Sequence, residues 1–163
     1  MHFHEQALSF SCRGQGLVGI VSLPEQAAAR AVLIVVGGPQ YRVGSHRQFT
    51  QLARGLAGQG SAVMRFDYRG MGDSEGEMRD FQDVDEDLGA AVDALLAAVP
   101  SAREVVIWGL CDAASAALFY AGRDPRVTGL VLLNPWARST GGHARATLKH
   151  YYCLLYTSPS PRD

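Results

Sequence analysis

Short apolar runs alternate with amphipathic segments along most of this chain. Two strand-like segments come first, at residues 3–12 and 17–23, and Gly14-Gln15-Gly16 between them predicts the turn of an antiparallel hairpin. The later apolar runs are short, and the first of them, at residues 31–36, is continuous and rich in β-branched residues, which is typical of a strand buried on both faces of a parallel sheet. These runs lie at residues 31–36, 62–66, 105–108 and 127–133.

Three segments between these runs have the spacing of amphipathic helices. Ser45 and Gln48 have the spacing of a capping box and predict that the first helix begins there and continues to Gly58. The second helix is predicted over residues 84–99 and the third over residues 112–122. Acidic residues that complement the helix dipole precede or begin the second helix: Asp83, Asp85, Glu86 and Asp87. Strands that alternate with helices predict an α/β fold, a mostly parallel sheet with helices on both faces after a leading antiparallel hairpin.

The segment that follows the strand at 105–108 carries the candidate chemistry. Gly109 ends the strand, and Cys111 precedes Ala113 and Ala114, which is the arrangement of a nucleophile elbow. A sharp strand-to-helix turn needs small neighbours, and Gly109 and Ala113 provide them. A helix N-terminus also favours a thiolate over a thiol. Cys111 is therefore the candidate nucleophile, although cysteine replaces the usual serine, Ala113 replaces the last glycine, and a lone cysteine is often inert core.

Composition narrows the possible partners. The chain has 163 residues and a net charge of -1 without a Lys/Arg cluster, so neither nucleic acid nor an anionic membrane surface is expected as a partner. No secretory leader and no apolar run of membrane-spanning length occurs, which predicts a cytoplasmic location and no membrane insertion. Three cysteines without C-x-x-C spacing, and the absence of HExxH, predict neither disulfide nor metal, and no cofactor is expected.

Three motifs together resemble the α/β-hydrolase superfamily, in particular its serine-aminopeptidase type. They are DYRGMGDSEG at 67–76, GLCDAA at 109–114 and GGPQYRVGSHRQF at 37–49. The last two most closely resemble the hydrolase 1 family associated with the exosortase A system, bacterial proteins encoded near exopolysaccharide and protein-sorting genes. The resemblance implies an α/β-hydrolase fold that is truncated after about its sixth strand. The loop at 67–76 is interpreted as structural.

The resemblance also implies roles for single residues. Cys111 would attack an acyl carbon, and the backbone N–H of Asp112 would donate to the oxyanion. The second donor is assigned to the N–H of Gln40, because Pro39 has none. The family's acid and histidine follow its seventh and eighth strands, which this chain lacks, and the only downstream histidines, His143 and His150, come too early.

In the loop at 67–76, Arg69 and Asp73 are expected to order the turn, while Gly70 and Gly72 admit unusual backbone angles. A weak nucleotide-binding alternative rests on Gly70 and Gly72, but Glu75 stands where the third glycine would be.

The C-terminal residues 153–163 differ abruptly in composition from the rest. They resemble a read-through tail derived from sequencing adapters, and the alternative is a natural disordered terminus rich in Ser and Pro. Residues 1–152 are accordingly expected to be the N-terminal part of one α/β-hydrolase domain. Missing strands would expose an apolar edge near 127–133 and promote aggregation.

The resulting functional hypothesis is a hydrolase or acyl transferase that acts on an ester, thioester or amide, with a small-molecule or acyl substrate. Without the acid and the histidine of the family pattern, this chain is expected to be nearly inactive, since loss of the base alone costs about 10⁶-fold in a triad. The alternative hypothesis is a non-catalytic α/β-hydrolase-fold protein that binds a ligand or acts as a scaffold.

Overall fold

The computed structural model describes residues 2–38 and 40–135. Each strand expected from the apolar runs is present, with ends within about two residues of those predicted. In chain order the elements are β1 (Phe3–Cys12), β2 (Gln15–Pro24), β3 (Arg30–Val35), a 3-10 turn (Ser45–Arg47), α1 (Gln48–Gly58), β4 (Val63–Asp67), α2 (Asp85–Ala98), β5 (Glu104–Leu110), α3 (Asp112–Ala121) and β6 (Val127–Leu133).

The six strands form one sheet in the order β1-β2-β4-β3-β5-β6. The β1–β2 and β2–β4 pairs are antiparallel, whereas β3 pairs in parallel with both β4 and β5, and β5 pairs in parallel with β6. The predicted mostly parallel sheet with a leading antiparallel hairpin is confirmed. β3 lies in the interior of the sheet because its apolar side chains can be buried on both faces.

Alternate residues of β3 point to different layers of the core. Leu33 belongs to the cluster formed with α2 and α3, while Ile34 belongs to a second cluster that includes Phe49 and Ala53 of α1. Because successive strand side chains point to opposite faces, α1 covers one face of the sheet, and α2 and α3 cover the other. The expectation of helices on both faces is confirmed.

The hairpin turn differs from its prediction. It consists of Arg13 and Gly14, both with positive φ (52° and 77°), and Cys12 pairs directly with Gln15. Positive φ at both central residues is the type I′ geometry, whose twist matches that of the flanking strands. Gly16 therefore belongs to β2 and not to the turn.

The capping box predicted at the start of α1 is wrong. Ser45 lies in the 3-10 turn, and α1 begins after Arg47, which has a left-handed φ of 61° and no side-chain capping bond. The carbonyl of Val43 instead accepts the N–H groups of Phe49 (3.2 Å) and Thr50 (3.4 Å). A backbone acceptor thus takes the place of the predicted serine cap.

β6 forms one border of the sheet within the described residues, and Val131 and Leu133 on it are 44% and 40% exposed. The predicted aggregation at this strand stays a prediction. None of the helices in the described part of the chain is long and apolar enough to cross a membrane. The predicted tail at 153–163 lies outside the described residues.

Candidate active site

Cys111 occupies the corner between β5 and α3. Its φ of 58° and ψ of −123° lie outside the common regions for a residue with a side chain, and the residue is exposed. Its N–H donates to the carbonyl of Leu133 (2.9 Å), and its own carbonyl accepts the N–H of Ala114 (3.1 Å). These bonds hold the thiol at the N-terminus of α3 in a strained conformation, as in a nucleophile elbow.

The small residues around the corner are required by close approach of the backbone. A Cβ on Gly109 would lie 2.7 Å from the carbonyl oxygen of Ala113 and 2.8 Å from the Cα of Ala114. A Cβ on Gly37 would lie 2.7 Å from the nitrogen of Ala113. Helix α3 therefore packs directly against the backbone of β5 and of the loop after β3.

The thiol opens into a cavity of about 270 Å³. The cavity brings together Cys111, Asp112 and Gln40, the three residues for which the sequence predicts a catalytic or oxyanion role. Its other lining residues are Gly37, Gly38, Phe49, Leu110 and Asn134. Several of them follow the carboxyl ends of β3, β5 and β6, the edge of a parallel sheet where ligands bind in open α/β folds.

The two residues whose backbone N–H groups are predicted to bind the oxyanion, Asp112 and Gln40, both line the cavity. Asp112 is the first residue of α3, so its N–H has no acceptor within the helix. Gln40 lines the same cavity, and its side-chain oxygen accepts the amide of Gln48 at 3.3 Å. The geometry is compatible with the two predicted donors, whose roles stay predictions.

Asn134 is a cavity residue that the sequence analysis missed. Its side-chain nitrogen donates to the Sγ of Cys111 at 3.8 Å, and its φ is 49°. The Asn-Pro pair directly after the last apolar run was the available signal, because asparagine tolerates positive φ at the end of a strand.

The loop at 67–76 is fixed against the segment that leads to the cavity. Asp67 is 1% exposed and accepts the backbone N–H of Arg42 (2.6 Å), the Arg42 guanidinium and the N–H of Asp73 (3.2 Å). Arg42 also donates to the Asp73 carboxylate at 2.5 Å. Asp73 thus orders the turn as expected, and the positive φ values of Gly70 (76°) and Gly72 (52°) match their predicted role.

Arg69 anchors the same loop to α2. Its guanidinium is 3% exposed and donates to the fully buried carboxylate of Asp87 at 2.8 Å and to Glu86 at 3.1 Å. Hydrogen bonding to Asp87 raises the pKa of Arg69. Asp87 was predicted only to complement the helix dipole, whereas in the structure it is also the buried partner of this arginine.

No histidine lines the cavity within the part of the chain that the structure describes, where the histidines are His2, His4 and His46. His143 and His150 lie outside the described residues, as does Pro39. Among residues 2–38 and 40–135, no group of three potential ligands is placed to hold a metal ion.

Comparison with known proteins agrees with this arrangement. Residues 27–156 match the family model described as serine aminopeptidase, S33. The chain belongs to this family. The matched residues include strands β3 to β6 and every residue that lines the cavity, so the strained cysteine lies in the part of the chain that matches the family.

Solved structures show the same fold. An esterase from Pyrococcus furiosus, PF2001, superposes with a TM-score of 0.75 at 21% identity, over 93% of this chain and 58% of the esterase. The α/β hydrolase GrgF from Penicillium sp. sh18 gives a TM-score of 0.74 at 22% identity, over 93% and 53%. DcsB, solved in complex with its substrate analogue, gives 0.73 at 19% identity, over 96% and 55%.

This S33 family chain therefore spans just over half the length of these structures, and its α/β-hydrolase fold is shown. A search of the curated proteins finds no match.

Proposed function

We propose that the protein is a hydrolase or acyl transferase that acts through Cys111 on an ester, thioester or amide. The observation that supports this most directly is the exposed Sγ at a strained strand–helix corner, which opens into a cavity beside the N–H of Asp112. Membership of the S33 family supports hydrolytic chemistry at that corner.

In the proposed first step, the thiolate of Cys111 attacks the carbonyl carbon of the substrate. A C–S bond forms while the carbonyl π electrons move to oxygen, and the N–H groups of Asp112 and Gln40 donate to that oxyanion. Collapse re-forms the carbonyl and breaks the bond to the leaving group, which takes a proton. Water or another acceptor then cleaves the thioester and restores the thiol.

Proton transfer in both steps is assigned to a histidine further along the complete protein, as in the family pattern. A thiol depends on such a base less than a hydroxyl does, because a free cysteine is already a few per cent thiolate at pH 7. The bare chain of 163 residues is accordingly proposed to be nearly inactive.

The residues at 37–49 and 109–114 support a finer assignment, to the hydrolase 1 family associated with the exosortase A system. Genes for exosortase and exopolysaccharide synthesis beside the complete reading frame would support this assignment, and a locus without them would contradict it.

The test of the catalytic proposal is acylation of the protein expressed from its complete reading frame. After incubation with p-nitrophenyl acetate, mass spectrometry of an acid-quenched digest is expected to show an acetyl group on Cys111 that hydroxylamine removes. Prior treatment with iodoacetamide is expected to block the acylation.

Cys12 provides the matched control, because it is 6% exposed and burial raises the pKa of its thiol. The Cys12→Ala variant is expected to acylate as the wild type does, whereas Cys111→Ala is expected not to acylate. Acetylation elsewhere, or none at all, would overturn the proposal and favour the alternative, a protein that binds a ligand without chemistry.

A further inference from the structure

The carboxylate of Asp112 connects the two backbone segments that form the candidate oxyanion site. One oxygen, Oδ2, accepts the N–H of Gly38 at 2.9 Å, and the other, Oδ1, accepts the N–H of Ala113 at 2.9 Å. Gly38 belongs to the loop after β3, and Ala113 belongs to the first turn of α3. The side chain that follows the nucleophile therefore links the loop to the elbow helix.

The loop is shaped around this carboxylate. A Cβ on Gly37 would lie 1.9 Å from Oδ1 of Asp112, and Gly38 has a φ of +61°. Glycine at position 37 lets the backbone approach the carboxylate closely, and glycine at position 38 admits the positive φ. A negative charge at the N-terminus of α3 is also favourable, and hydrogen bonds to a carboxylate are stronger than those to a neutral acceptor.

The Gly38 bond decides which N–H groups remain for substrate. Because the N–H of Gly38 is bound by Asp112, the loop can offer the cavity the N–H of Gln40 but not that of Gly38. Among residues 2–38 and 40–135, Asp112 is also the only charged residue that lines the cavity. Its carboxylate would oppose an oxyanion if it were free, and the two N–H bonds hold it in place.

Asp112 also lines a second cavity of about 120 Å³, together with Gly38, Tyr68 and Phe81. Burial, and next the charge of Asp112, raise the pKa of Tyr68. Asp112 and Gly38, which the hydrogen bond joins, thus line both cavities.

We propose that the side chain of Asp112 is a positioning residue, which holds the loop of Gly37, Gly38 and Gln40 at the distance from Cys111 that oxyanion binding needs. This inference rests on the proposed function. It adds a role for the side chain to the backbone role already assigned to Asp112. Loss of the Asp112 side chain should weaken binding of the transition state more than binding of the substrate, because a preorganised donor contributes about 10²-fold to 10³-fold to the rate.

The test compares Asp112→Ala and Asp112→Asn with the wild type in the protein expressed from its complete reading frame. Asp112→Ala removes both acceptors and is expected to lower kcat for p-nitrophenyl acetate by about 10²-fold with little change in KM. Asp112→Asn keeps one acceptor oxygen and is expected to lose less. Asp83→Ala, the same change at an exposed carboxylate away from the cavity, is the control.

Hydrogen exchange supplies a readout that does not depend on turnover. The loop amides at residues 37–44 are expected to exchange faster in Asp112→Ala, and less so in Asp112→Asn, at equal urea midpoints. An unchanged kcat or unchanged loop exchange in both variants would overturn the inference. If Asp112→Ala does not fold, Asp112→Asn decides.

The two proposals fail in different ways. A wild type that never acylates on Cys111 overturns the proposed function, and the catalytic part of this inference falls with it. A wild type that acylates, with Asp112 variants that acylate equally fast, overturns only the positioning role.

Discussion

The close approach of α3 to Gly109 predicts that Gly109→Ala destabilises the protein. The added Cβ would meet backbone atoms of Ala113 and Ala114 at 2.7–2.8 Å, and ordinary van der Waals contact begins at 3.4 Å. No side chain can rotate to relieve these contacts, so the helix as a whole must move away from β5. Overpacking of this kind costs about 1–3 kcal/mol.

A domain of 150–250 residues loses roughly 2–4 °C of thermal midpoint for each kcal/mol, and a longer protein loses less, so a fall of up to about 12 °C is expected. Gly55→Ala is the matched control. Gly55 lies inside α1, and a Cβ there meets nothing within 4 Å. Alanine is the better helix former by about 0.5–1 kcal/mol, so this variant should melt at a slightly higher temperature than the wild type.

The assay is thermal unfolding followed by far-ultraviolet circular dichroism, on the protein expressed from its complete reading frame. Opposite signs for the two glycine-to-alanine changes would support the geometry of the elbow. A Gly109→Ala protein as stable as the wild type would refute the reasoning, because it would mean that α3 does not pack on the backbone of β5.

Two further predictions concern the loop anchored by Arg69. Asp87→Ala leaves the buried guanidinium of Arg69 without its main partner, so the free energy of unfolding in urea should fall by about 3–5 kcal/mol. Asp93→Ala, at an exposed ion pair, is the control and should lower it by only about 0–1 kcal/mol. Equal losses in the two variants would contradict the importance of the buried pair. Arg13 chiefly lowers the pKa of Glu86 from 4.5 to about 2. Since a lowered carboxyl pKa stabilises the fold above its unfolded value, the contribution of Glu86 is full above about pH 4.5 and disappears as the pH falls through about 2. In Glu86→Gln the urea midpoint should change less with pH between those two values than it does in the wild type. The same pH dependence in both proteins would count against the ion pair of Arg13 and Glu86.

Local pattern accounts for the part of the fold that the sequence predicts well. The apolar runs that form β3, β4 and β5 contribute buried side chains to the core, and the run that forms β6 contributes partly buried ones, so burial accounts for much of their composition. The start of α1 was not predicted because it depends on positive φ at two consecutive residues, His46 and Arg47, and neither of them is a glycine. The hairpin turn was predicted too far along the chain, because Gly16 suggests a turn. In the structure Gly16 pairs within β2, and its N–H donates to Glu75 at 2.7 Å.

The candidate site divides in the same way. Cys111 and Asp112 were predictable because an elbow is a contiguous motif. The contacts of Asp67 with Arg42, and of Asn134 with Cys111, join residues that are distant in the chain. No local sequence pattern indicates contacts between such distant residues, because they form only when the sheet packs.

The choice of cysteine at the elbow leads to a last prediction. Cys111→Ser keeps the size and the strained backbone of the corner, so the fold should be unchanged, but a hydroxyl is not ionised at neutral pH. A helix N-terminus stabilises an anion that has formed but does not remove the proton.

If the site is adapted to sulfur, the acylation rate of Cys111→Ser should fall by about 10²-fold to 10⁴-fold, the range that a general base contributes. Burst kinetics with p-nitrophenyl acetate measures the acylation rate, and Cys111→Ala gives the background rate. A serine variant that acylates as fast as the wild type would show that a base strong enough for a serine hydrolase is present, and that the thiol itself gives no advantage.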